Sequence, residues 1–230
     1  MRLLLLPGMD GTGRLFEPLL AELPPAMTPI VVSYPTNEPL DYDRLLERVE
    51  AAAPSEPFVV VGESFSGPLA VLLASRRPLG LRGVVLCASF IRSPLPFPRS
   101  WTAAVRPWMF RWQPLGLLSL VLLGRQAFGP LGRLLRSSVR SVSPAVLVER
   151  IRAIAYVNVT AELRNCPVPV LYLQARGDWV VGRRSWQAIE AVRPETELVT
   201  LPGPHLVLQT SPRQAAEAIA EFCGRAADAS

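Results

Sequence analysis

Six short apolar runs, at 2–6, 29–33, 58–62, 83–87, 168–173 and 197–201, punctuate this chain, and helical segments lie between most of them. The runs are apolar almost throughout rather than at alternate positions. Strands covered on both faces require this, because neither face meets water. The rhythm predicts an α/β fold: a three-layer α/β/α sandwich on a doubly wound, mainly parallel sheet of about six strands. Helices are expected at 13–23, 41–53, 64–75, 182–192 and 212–224. The last is the clearest: Ser211 can cap it, Pro212 suits its first position, and Ala215, Ala216, Ile219, Ala220 and Phe222 form its buried side.

Between Ser93 and Asn165 the rhythm stops, and Pro, Trp, Leu and Arg accumulate without a clear strand. The chain therefore divides into a core, residues 1–92 and 166–230, and a helical lid inserted at 93–165. Within the insertion, Leu115–Leu123 is very apolar but far shorter than the roughly 20 residues of a membrane-spanning helix. It reads as a cap helix. Trp101, Trp108 and Trp112 give the lid large apolar surfaces, suited either to lipophilic substrates or to packing on the sheet. Residues 226–230 read as a frayed tail.

Half of the 230 residues are hydrophobic, which argues against disorder and for a sizeable core. The net charge of +5 comes mainly from arginine, much of it spread between Arg92 and Arg164 rather than packed into one run. That distribution argues against nucleic acid as the partner. It leaves open contact with an anionic membrane surface or an anionic acyl carrier, or simple solubility. Cys87, Cys166 and Cys223 are odd in number and widely spaced, and His205 is the lone histidine, so neither a disulfide framework nor a metal site is indicated. A reducing cytoplasm fits. The opening leucines are too few for a signal-peptide core and read as a strand.

The chemistry centres on Phe58 to Ala70. An apolar strand runs into Gly62-Glu63-Ser64-Phe65-Ser66-Gly67 and then into an apolar helix. A sharp strand-to-helix turn of small residues pushes a serine outward, and the helix start beside it favours developing negative charge. Ser64 is the expected nucleophile. Such a serine needs a base, and His205 is the one histidine that could serve, in a loop between the last strand and the last helix. Asp178, directly beyond the 168–173 run, is the candidate to orient it, although a plain turn aspartate after Gly177 is the alternative. The order is Ser, Asp, His. The backbone N–H groups of Phe65 and of Met9, in the loop Pro7-Gly8-Met9-Asp10-Gly11-Thr12-Gly13, are expected to form an oxyanion hole. These glycines match neither nucleotide-loop pattern, so no cofactor is expected.

With these elements in order, the chain resembles the α/β-hydrolase superfamily along nearly its whole length. The resemblance implies a sheet starting at the family's third strand, without the antiparallel N-terminal hairpin, and a lid between the sixth and seventh family strands. Pro7 stands where many members carry histidine. The string Pro7 to Gly13 is also similar to the first loop of plant esterase/lipase/thioesterase-like acyltransferases that make phytyl esters.

The expected activity is cleavage of a small apolar carboxylic ester or thioester through an acyl-enzyme. Three alternatives stay open: an acyltransferase using the same residues, a catalytically inactive module binding an apolar ligand, and a membrane-surface protein anchored by its basic lid. Nothing in the sequence specifies an oligomeric state.

Overall fold

The computed structural model describes residues 1–110 and 114–228. Six strands, β1 (Arg2–Leu6), β2 (Thr28–Val31), β3 (Phe58–Glu63), β4 (Leu81–Cys87), β5 (Val170–Ala175) and β6 (Glu197–Leu201), form one sheet in the order β2-β1-β3-β4-β5-β6. Every pairing is parallel. The central strands are buried on both faces, as their unbroken apolar character requires, whereas the edge strands β2 and β6 are partly exposed.

Alternation along each strand sends side chains to two cores. Leu4, Leu6, Val60 and Leu86 face one side, packed with α2 (Tyr42–Ala52), α3 (Gly67–Ser75) and α8 (Gly182–Val192). Leu3, Leu5, Val59, Val85 and Leu171 face the other, against α1 (Glu17–Glu22), α9 (Val207–Thr210) and α10 (Pro212–Asp228). This is the three-layer sandwich. Its chain path reverses at β1, which has β2 on one side and β3 on the other. Loops leaving β1 and β3 therefore diverge and open a crevice at the carboxyl ends of these strands.

Between β4 and β5 the described residues form 3₁₀ turns and four helices, α4 (Leu115–Leu123), α5 (Pro130–Arg140), α6 (Pro144–Tyr156) and α7 (Thr160–Arg164). No helix among the described residues is long and apolar enough to cross a membrane. Trp101 and Trp108 are each 65% exposed, so neither packs on the sheet; Trp112 lies outside the described residues.

Local chemistry shifts some boundaries. The 13–23 segment splits into a 3₁₀ turn at Arg14–Phe16 and α1, because Pro18 suits a fresh helix start. The stretch after Ser64 likewise starts as a 3₁₀ turn, Ser64–Ser66, and becomes α-helical at Gly67. At α10 the Ser211 hydroxyl donates to the Pro202 carbonyl; Cys223 joins the buried face, and Ala226 carries it past the expected end at residue 224.

Candidate active site

Ser64 stands at the end of β3 with φ of 48°, in the left-handed region that side chains other than glycine rarely adopt. Such a conformation costs on the order of 1–3 kcal/mol and persists only where the surroundings enforce it. Here they do. A Cβ at Gly62 would come within 2.5 Å of the Ser66 carbonyl oxygen, and one at Gly67 would collide with the Ser89 side chain at 1.8 Å. Strand and helix thus meet closely enough to force the turn. Ser89 donates to the Ser64 carbonyl, and the Tyr172 hydroxyl donates to the Ser89 carbonyl at 2.9 Å. On the other flank, the Tyr42 hydroxyl donates to the Phe65 carbonyl at 2.8 Å and its ring stacks on Phe65.

Ser64, His205 and Asp178 come together from three loops. His205 Nε2 lies 2.8 Å from Ser64 Oγ, and His205 Nδ1 lies 2.9 Å from Asp178 Oδ2. The imidazole and carboxylate are nearly enclosed, with 4% and 5% of their side chains exposed. The other carboxylate oxygen of Asp178 accepts from the amides of Val180 at 2.8 Å and Val181 at 3.0 Å. Burial alone would raise the Asp178 pKa; the His205 hydrogen bond and those two amides outweigh it and hold the group below its ordinary value. An ionised Asp178 accepts the Nδ1 proton and leaves Nε2 free to accept the Ser64 hydroxyl. A serine so connected can be deprotonated as it attacks an electrophilic carbon.

Met9 lines the same cavity as Ser64 and His205, and Phe65 follows the serine with its ring buried. The loop carrying Met9 is held by contacts that the sequence reading did not foresee. Arg150, in α6 and 2% exposed, donates to the Met9 carbonyl at 2.7 Å and the Pro35 carbonyl at 3.0 Å. Ser66 donates to the Pro7 carbonyl and lies 2.7 Å from the Tyr34 hydroxyl. Asp10, its pKa raised by burial, accepts from the Thr12 amide at 2.9 Å and from the Thr12 hydroxyl. An arginine among Val146, Leu147, Val148 and Ile154 was the available signal: a charge on an apolar helix face is buried only where it is satisfied.

Above the serine lies a cavity of about 270 Å³. Its floor is Gly8, Met9, Ser64 and His205; Leu118, Leu122, Leu135, Val139, Leu147 and Ile151, all between β4 and β5, close it from above. Asp10, Ser64 and His205 are the polar side chains among its lining residues. Among the described residues, no cluster of three metal-ligating side chains occurs.

The model of the alpha/beta hydrolase family matches residues 3–218. Among curated proteins, phytyl ester synthase 1, chloroplastic, of Arabidopsis thaliana is 38% identical over 103 residues, a match covering 40% of this chain and only 15% of the plant protein. Similar solved structures include the enol-lactonase from Burkholderia xenovorans LB400, at TM-score 0.80 and 15% identity over 96% of this chain and 90% of that one. A thermophilic esterase from Thermogutta terrifontis gives TM-score 0.78 and 17% identity, covering 98% and 90% of the two chains. A lipase-esterase related protein from Clostridium acetobutylicum gives 0.77 and 16%, covering 96% and 93%. At such identities these structures speak for the fold. With the family match spanning nearly the whole chain and the sheet order and strand-turn-helix serine on the page, this protein belongs to the alpha/beta hydrolase family.

Proposed function

We propose that this protein is a serine hydrolase that cleaves carboxylic esters or thioesters with an apolar acyl group, with Ser64 as nucleophile, His205 as general base and Asp178 as the group orienting the imidazole. The observation that carries the reading is the continuous hydrogen-bonded chain from Ser64 Oγ through His205 to Asp178 at 2.8 and 2.9 Å. In this mechanism Ser64 adds to the acyl carbon while its proton passes to His205. The backbone N–H groups of Met9 and Phe65 receive the oxyanion, each worth about 3–4 kcal/mol in the transition state. His205 protonates the departing alcohol or thiol, and water then releases the acid from the acyl-enzyme. Residues 93–165 serve as the lid, since they supply the apolar roof of the cavity. Three buried free cysteines fit a reducing compartment such as the cytoplasm.

The same acyl-enzyme could instead pass its acyl group to an alcohol. The partial match to phytyl ester synthase 1 favours keeping this second reading. Product analysis with a long-chain alcohol present separates the two, because transfer yields a new ester and hydrolysis only free acid. For the main reading, wild type is expected to label with a fluorophosphonate and to hydrolyse p-nitrophenyl esters. Ser64→Ala should lose both, and Asp178→Asn should lower kcat by roughly 10³–10⁴ by favouring the wrong imidazole tautomer. Folded wild type that neither turns over nor labels would refute the enzyme reading.

A further inference from the structure

A second cleft, of about 450 Å³, adjoins the cavity above Ser64 and shares Pro94, Leu95, Pro96 and Val181 with it as a common wall. Its character is opposite. Arg92, Arg183 and Arg184 line it together with Ser93 and Ser185, and no carboxylate does. Several arginines elsewhere have partners: Arg2, Arg48, Arg76, Arg213 and Arg225 pair with glutamates, and Arg150 is bound to backbone carbonyls. The guanidinium groups of Arg92, Arg183 and Arg184 make no ion pair or hydrogen bond among the described residues. Gathering unpaired cations around one concavity without a counter-charge is unfavourable in the free protein and becomes favourable when an anion enters. The first turn of α8, with no acidic residue, adds free N–H groups to the same wall. The cleft is also tied to the chemistry: Val181, in the shared wall, donates its amide to Asp178.

We infer that this cleft binds a phosphate group on the leaving-group side of the substrate, so that the acyl donor is an ester or thioester whose alcohol or thiol is phosphorylated. The inference rests on the serine hydrolase reading for its chemistry. The acyl chain fills the apolar cavity, Ser64 takes the acyl group as the C–S or C–O bond breaks, and the departing sulfur or oxygen leaves with the proton held by His205. The phosphorylated thiol or alcohol departs through the basic cleft, and water frees the acid from Ser64. Coenzyme A thioesters and glycerophospholipids both supply this chemistry.

The test compares matched donors with and without phosphate: decanoyl-coenzyme A against decanoyl-N-acetylcysteamine, and dioctanoyl phosphatidate against dioctanoylglycerol. The wild-type kcat/KM ratio within at least one pair is expected to favour the phosphorylated member. That ratio should fall about ten-fold or more in Arg92→Ala/Arg183→Ala/Arg184→Ala, mainly through KM. The preference should also shrink as ionic strength rises from about 0.05 to about 0.5 M. The pair that responds identifies the source of the phosphate. Ratios that ignore both the arginines and salt in both pairs would overturn the inference. If the wild type cleaves none of these donors, the hydrolase reading is at fault, and calorimetric binding of coenzyme A and of dioctanoyl phosphatidate to wild type and the triple variant still decides the cleft. Binding of either that weakens about ten-fold with the arginines removed supports it; arginine-independent binding, or none, overturns it.

Discussion

Glu63, immediately before the proposed nucleophile, is 1% exposed, and its Oε1 lacks a hydrogen-bond partner among the described residues. Burial pushes its pKa up to about 7; Asp10 adds to the rise, while Gln209, His205 and the Gly8 amide oppose it. The native state therefore keeps this proton up to about pH 7, whereas the unfolded chain releases it near 4.5. Native binding of the extra proton means that its contribution to stability is complete below the unfolded pKa and is lost as pH rises through the folded one. A shift of this size corresponds to about 3 kcal/mol. Glu63→Gln removes the titration, so its melting temperature relative to wild type should climb by several degrees between pH 5 and pH 8.5. A difference that stays flat across that range would show that Glu63 does not titrate there. The same residue marks a limit of sequence reading. Ser64, Asp178 and His205 were legible because strand, turn and chain order single them out, and the 2.8 and 2.9 Å contacts bring all three together. Glu63 was not, because a glutamate in such a turn declares its burial only once helix and loops have closed over it.

At the scale of elements, the link between α6 and the β1 loop is the one on which the proposed oxyanion site depends. Arg150 bridges Met9 and Pro35 and lies over the Tyr34 ring, 5.7 Å from its centroid. It also fills the space beneath Gly11, where a Cβ would meet the guanidinium at 2.7 Å. Arg150→Met would keep most of the apolar stem but leave two buried carbonyls unpaired, at about 1–3 kcal/mol each. Denaturant unfolding should record a loss of that order. The variant's kcat on a p-nitrophenyl ester should fall at least ten-fold, because a loosened loop no longer holds its amide in place. Loss of stability with unchanged kcat would make Arg150 a purely structural tie. The loss of the strand rhythm pointed to a helical segment between β4 and β5 but not to this contact, which joins residues 141 positions apart.

The cavity belongs to the whole molecule, since its floor comes from the sheet's carboxyl edge and its roof from α4, α5 and α6. The lining is apolar and the roof bounds its length, so an acyl chain of intermediate length fits it best. Among p-nitrophenyl esters, activity should rise from acetate to a maximum near octanoate or decanoate and fall toward palmitate. Leu147→Trp, in the roof, should move the maximum toward shorter chains while butyrate hydrolysis persists. A palmitate optimum in wild type would mean that the roof opens more widely than the structure does.

By itself the sequence determined the layers and the order of the chemistry. Continuous apolar runs can be satisfied only as strands covered on both faces, and a small-residue turn between strand and helix can present only its serine. These are local consequences of periodicity and of steric size. Only the tertiary structure decided that His205 meets Asp178, that Arg150 secures the Met9 loop, and that Arg92 comes beside Arg183 and Arg184 next to the apolar cavity. Each joins groups distant in sequence, and the worth of a charge or hydrogen bond is set by what else is buried around it, which no window along the chain contains.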